Sequence, residues 1–162
     1  MALKKIGTVL STCLVALAAT TALSTPAHAE GEVTLQNVHS GRCLSGSADR
    51  RVRMGDCDGN AKWRQQYYGN SPMLVNVATG LCLDHPLDPP VGKQVYLSSC
   101  WGEDYGQLIG IGDADSSHKH IRPVDSSAAL VGWDTGSVTF AQDVDNASTD
   151  PSTAEKALWA TI

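Results

Sequence analysis

The feature that most constrains this chain is a ten-residue pattern that occurs three times. Leu35-Gln-Asn-Val-His-Ser-Gly-Arg-Cys-Leu44 and Leu74-Val-Asn-Val-Ala-Thr-Gly-Leu-Cys-Leu83 share Leu, Asn, Val, Gly, Cys and Leu at identical spacing. Ile121-Arg-Pro-Val-Asp-Ser-Ser-Ala-Ala-Leu130 keeps the apolar frame alone. Such self-similarity marks a structural unit of about forty residues that buries its apolar face only by sharing a core with its copies.

Each unit repeats a finer pattern. An alternating strand at Leu35–Asn37, Leu74–Asn76 or the matching third segment runs into a small turn, and a short strand ending in Leu follows. After a polar loop come third strands at Val52–Asp56, Val95–Ser99 and Val138–Gln142, and closing apolar elements at Trp63–Tyr67, Gln107–Ile111 and Trp159–Ile162. Short strands bounded by turn residues indicate an all-β barrel or sandwich. No sustained helical period is present, and 152–158 offers one turn at most. Four strands in each of three units is the count of a β-trefoil, three pseudo-symmetric four-stranded repeats about one axis. Leu44, Leu83, Leu130, Val52, Val95 and Val138 are the expected core, with Trp63 and Trp159 buried beside them.

Before the repeats, Lys4 and Lys5 precede an apolar stretch and the small-x-small run Ala27-His28-Ala29, the form of an export signal. Residues 1–29 are therefore read as a signal peptide and 30–162 as one secreted, extracellular domain, with Cys13 discarded with the signal. No later stretch is long and apolar enough to cross a bilayer. Without Lys4 and Lys5, ten basic residues face seventeen acidic ones, which disfavours nucleic acid and anionic membranes as partners. The remaining cysteines, Cys43, Cys57, Cys82 and Cys100, allow three disulfide connectivities. Pairing within repeats gives Cys43–Cys57 and Cys82–Cys100, each worth about 3 kcal/mol in the chain-entropy picture. The third repeat has Ala129 and Asp143 at these places and is expected to be the loosest. No metal or cofactor is expected: CxxC-type pairs are missing, and His118 and His120 lack an evident third ligand.

Gly-x-Cys-Leu at 41–44 and 80–83, the second cysteine after the third strand, and Trp near unit ends resemble the ricin-type β-trefoil lectins over about residues 33–162. That family closes each unit with Gln-x-Trp. The counterparts are read as Ala61-Lys62-Trp63, Tyr105-Gly106-Gln107 and Ala157-Leu158-Trp159, so that Trp survives twice and Gln never. The resemblance implies one shallow sugar pocket per unit, with an Asp after Cys-Leu, an aromatic two residues before the second cysteine, and polar side chains to complete it. Ser45 and Gly55 stand at the Asp and aromatic places of the first unit, and Val131 and Ala141 at those of the third.

The middle unit alone keeps the carboxylate, Asp84, followed by His85. Its aromatic place holds Ser98, and Tyr96 shares that strand face because side chains alternate. Trp101, Glu103 and Asp104 complete the candidate set. Trp133-Asp134 is a further aromatic–carboxylate pair off the family's positions. The implied partner is a carbohydrate, an oligo- or polysaccharide. The alternative is a protein-interaction module such as a protease inhibitor, using the 85–93 and 143–153 loops. No catalytic motif is present, and no enzyme activity is expected.

Overall fold

The computed structural model describes residues 31–87, 91–124, 126–146 and 149–162. The signal-peptide reading, Cys13 and parts of the two long loops lie outside these residues. Among these residues, twelve strands fall into three sets of four. The first is β1 (Val33–Asn37), β2 (Cys43–Gly46), β3 (Val52–Gly55) and β4 (Lys62–Tyr68). The second is β5 (Ser71–Asn76), β6 (Cys82–Asp84), β7 (Tyr96–Ser98) and β8 (Ile109–Asp113). The third is β9 (Lys119–Pro123), β10 (Ala129–Gly132), β11 (Val138–Ala141) and β12 (Trp159–Thr161). A six-residue helix α1 (Pro151–Lys156), started by a proline at its first turn, precedes β12 and is longer than the single turn expected.

First and fourth strands of the units pair around a barrel: β4 with β1 and β5, β8 with β9, and β12 with β9 and β1. β8 closes on β5 where Gly110 lies against the Pro72 ring; a Cβ there would sit 2.8 Å from it. Second and third strands form three hairpins, β2–β3, β6–β7 and β10–β11, that cap one end. The hairpins interlock at equivalent points, through the bridges Arg51–Tyr96 and Gln94–Thr139 and the bonds from Leu97 N–H to Arg50 C=O (2.9 Å) and from Met54 N–H to Gly136 C=O (3.0 Å). This is the β-trefoil arrangement. The six expected Leu and Val residues, Trp63 and Trp159 all lie in one buried cluster. The indole N–H groups of Trp63 and Trp159 donate to the carbonyls of Leu44 and Leu130, 2.8 and 3.0 Å away.

Both disulfides form within repeats, Cys43–Cys57 and Cys82–Cys100. In the third unit, Ala129 packs with Val131, Val144 and Ala157 in a small apolar cluster of its own. The asparagines shared by the first two repeats are fully buried. Asn76 Nδ2 donates to the carbonyls of Asn60 (2.8 Å) and Lys62 (3.3 Å), while Oδ1 accepts from the Thr79 amide and hydroxyl. Asn37 repeats this toward Lys156 and Leu158, with Ser40 as its donor. Each side chain thus turns its own hairpin and ties it to the closing strand of the preceding unit.

The register corrects one part of the sequence reading. Trp63 pairs with Asn76, Trp159 with Asn37, and Ile109 with Pro123. The amides of Val38, Val77 and Val124 donate to the carbonyls of Leu158, Lys62 and Leu108. Ile109, not Gln107, therefore occupies the tryptophan place of the middle unit. The closing triplet there is Gln107-Leu108-Ile109: the Gln is kept and the Trp replaced. Gln107 ends a 3₁₀ turn (Tyr105–Gln107), the counterpart of Gly59–Ala61, so β8 starts two residues later than expected.

Removing the asparagine clamp should be costly, since the bonds to the Asn60 and Lys62 carbonyls and from the Thr79 amide and hydroxyl are lost at once. Asn76→Leu is expected to lower stability by roughly 2–4 kcal/mol in urea unfolding. A loss under 1 kcal/mol would contradict the clamp.

Candidate functional site

The middle unit's candidate residues converge at the β6–β7 hairpin. In its register Asp84 lies opposite Tyr96, and Cys82 opposite Ser98, so Asp84, Tyr96 and Ser98 share one face while Leu83 and Leu97 point into the core. Ser98 Oγ donates to Asp84 Oδ2 and accepts from Gln107 Nε2 at 2.6 Å. Gln107 Nε2 also donates to the Ser99 carbonyl (3.0 Å) and lies 3.4 Å from Asp104 Oδ2, and its Oε1 accepts from the Trp101 amide at 2.9 Å. Gln107, which the sequence pattern alone puts at the tryptophan place of the closing triplet, is thus the hub of the cluster. The signal that locates it is the pair Asp58 and Asp104, each capping a 3₁₀ turn three residues before Ala61 and Gln107.

Asp84 itself is only 3% exposed. The backbone of Gly106 lies over it, and a Cβ at 106 would come within 2.6 Å of both Asp84 Oδ1 and the His85 carbonyl. The tyrosine phenol of residue 96 is held above its ordinary value, first by burial and then by the charge of Asp84 and a hydrogen bond to it, with Asp104 adding a smaller effect. Asp104 spends Oδ1 on the Gly106 amide, 3.0 Å away, as the cap of its turn. His85 is buried, edge-on to Phe140 at 5.2 Å, with Nδ1 2.9 Å from the Pro86 carbonyl.

Around this sealed network the surface is aromatic. Trp101 is 63% exposed, Tyr105 75% and Tyr96 39%. Tyr68, at the end of β4, lays its ring against Gly102, where a Cβ would fall 2.0 Å from the ring. Every exposed aromatic side chain among the described residues lies between Tyr67 and Tyr105. The other units offer less. Trp133 sits under Lys156, whose ammonium is 5.7 Å from the ring centre and 3.0 Å from Asp134. His118 pairs with Asp115 at 2.8 Å, which holds that carboxyl down at about 2, and His120 faces Arg122 and Asp145 instead. The two histidines therefore have separate partners. Among the described residues no group of three or more His, Cys, Asp or Glu is placed to hold a metal.

Residues 21–93 match the family model described as ricin-type beta-trefoil lectin domain-like. Solved structures agree on the fold across the chain. The ricin B-like lectin of Macrolepiota procera, in complex with lactose, has 13% identity and a TM-score of 0.62 over 81% of this chain and 94% of that one. The designed threefold-symmetric protein ThreeFoil has 17% identity and a TM-score of 0.63 over 82% and 99%. A GlcNAcα1-4Gal-releasing endo-β-galactosidase from Clostridium perfringens has 14% identity and a TM-score of 0.63 over 81% of this chain. This chain spans about a third of that enzyme, 32% of its length. No curated protein matches the sequence.

The Tyr96 phenol should titrate above 10, and Asp84→Asn should bring it down toward the ordinary value by removing the neighbouring charge. Ultraviolet difference titration of the two proteins checks this; coincident curves would rule out the Asp84–Tyr96 coupling.

Proposed function

We propose that this chain is a secreted, non-enzymatic carbohydrate-binding protein whose sugar sites are reduced to one, in the middle unit. The observation that carries the reading is the gathering of the exposed aromatics around the only unit that keeps the family's carboxylate. A saccharide presents a CH-rich face to an aromatic ring and hydroxyls to its rim. Trp101 and Tyr105 supply the ring faces, and Tyr96 a ring with a hydroxyl at its edge. Asp84 works from behind: its carboxylate, with Gln107 and Ser98, fixes the strand and turn that hold those rings. The first unit supports no comparable site, with Ser45 and Gly55 at the key places, and Trp133 of the third is already covered by Lys156. Export is supported by the leader-like residues 1–29 and by two disulfides, which persist in oxidising compartments.

A glycan array with residues 30–162 tests this. Because the Trp101 and Tyr105 side chains are exposed, Trp101→Ala and Tyr105→Ala should melt like the parent. Binding of neutral glycans is expected to fall by roughly tenfold or more in each, the loss of a stacking contact. Array binding indifferent to both changes, or no glycan binding together with capture of a protein through the 85–93 loop, would overturn the reading in favour of a protein-interaction module.

A further inference from the structure

Residues of all three hairpin segments line a cleft of about 510 Å³. Its floor is apolar, from the buried Val52, Met54 and Val95. Its walls include Arg42, Arg50, Arg51 and Arg53, four of the six arginines in a chain whose net charge is −5. Among the described residues one carboxylate answers them: Asp49 pairs with Arg51 at 3.3 Å and reaches Arg53 at 4.0 Å. Arg42 donates to the neutral Met54 carbonyl, and among the described residues neither Arg42 nor Arg50 makes an ion pair. Three positive charges around an apolar floor are therefore uncompensated on an acidic protein.

Arg50 adds an independent sign. Its φ is 65°, a left-handed conformation that costs a side-chain-bearing residue free energy. The equivalent turn of the third unit uses Gly136, with φ 89°, the residue suited to that geometry. Both carbonyls make the same inter-hairpin bond, to Leu97 and Met54. The fold thus needs the conformation but not the arginine, and an unfavourable residue kept on a cleft wall points to a use for its guanidinium.

We propose that this cleft binds the acidic groups, sulfate or carboxylate, of an anionic saccharide. Planar guanidinium groups match both anions with paired hydrogen bonds. Tyr96 lines the cleft and also borders the aromatic surface of the middle unit, so one polysaccharide strand can touch both. The choice of a saccharide over an acidic peptide rests on the carbohydrate-binding reading above; the cleft's preference for anions does not.

The test is calorimetric titration of residues 30–162 with a heparin-derived tetrasaccharide, its desulfated counterpart and polyglutamate of matching charge. The variant Arg50→Gly/Arg51→Gln removes two guanidinium groups; Arg50→Gly relieves the strained turn, so it should melt no lower than the parent. Expected are binding of the sulfated tetrasaccharide that weakens as sodium chloride rises, roughly tenfold weaker binding or more in the variant, and unchanged neutral-glycan binding on the array. Equal binding to parent and variant, no binding of the tetrasaccharide, or equally tight binding of polyglutamate would overturn the proposal. If neutral glycans fail on the parent while arginine-dependent tetrasaccharide binding persists, the aromatic site falls and the cleft stands.

Discussion

The structure depends on a buried amide used twice. Asn37 and Asn76 each sit where a unit's first strand ends, accept from the turn that starts their own hairpin, and donate to the closing segment of the preceding unit. A fully buried amide is tolerated only when its donors and acceptor are matched. Matching them therefore fixes hairpin, barrel and unit boundary together. Glycine makes room for each: a Cβ at Gly46 would lie 2.8 Å from Asn76 Cγ, and one at Gly132 3.4 Å from Asn37 Cγ. The third junction is built differently, with Pro123 at the asparagine place and His85 at the glycine place. There the Val124–Leu108 backbone bond remains, while the side-chain clamp is gone.

This explains which parts of the fold were legible in the sequence. Leu44, Leu83, Leu130 and the three valines recur because each copy must fill the same core, and the in-repeat cysteine pairing follows from the same symmetry. The Asn repeat was visible too, but nothing in its spacing tells that its partners lie in another unit. Register failed where symmetry failed. With Ile109 in place of Trp, the middle unit has no large anchor to fix its register, and Gln107 reads from sequence as the counterpart of the tryptophan two residues on.

The candidate site divides along the same line. Period-two alternation sufficed to place Tyr96 and Ser98 together beside Asp84, because it is a local property of one hairpin. Burial of Asp84 was not legible, since it is imposed by Gly106, twenty-two residues on, folding over the carboxylate. The arginine cleft is also a product of assembly. Arg50, Arg51 and Arg53 are close in sequence, but Arg42 and the Thr135–Ser137 wall reach them only when the hairpins come together. A carboxylate braced inside the scaffold, with recognition by rings on the surface, is the arrangement we propose for the middle unit.

The most direct test of that picture is amide and indole mapping by ¹H–¹⁵N correlation spectra of residues 30–162 during titration with the strongest neutral glycan from the array. Shifts of the Trp101 indole N–H and of the Gly102, Tyr105 and Gly106 amides are expected, while the buried Trp63 and Trp159 indoles stay in place. Shifts confined to the first or third unit, with Trp101 unmoved, would contradict it.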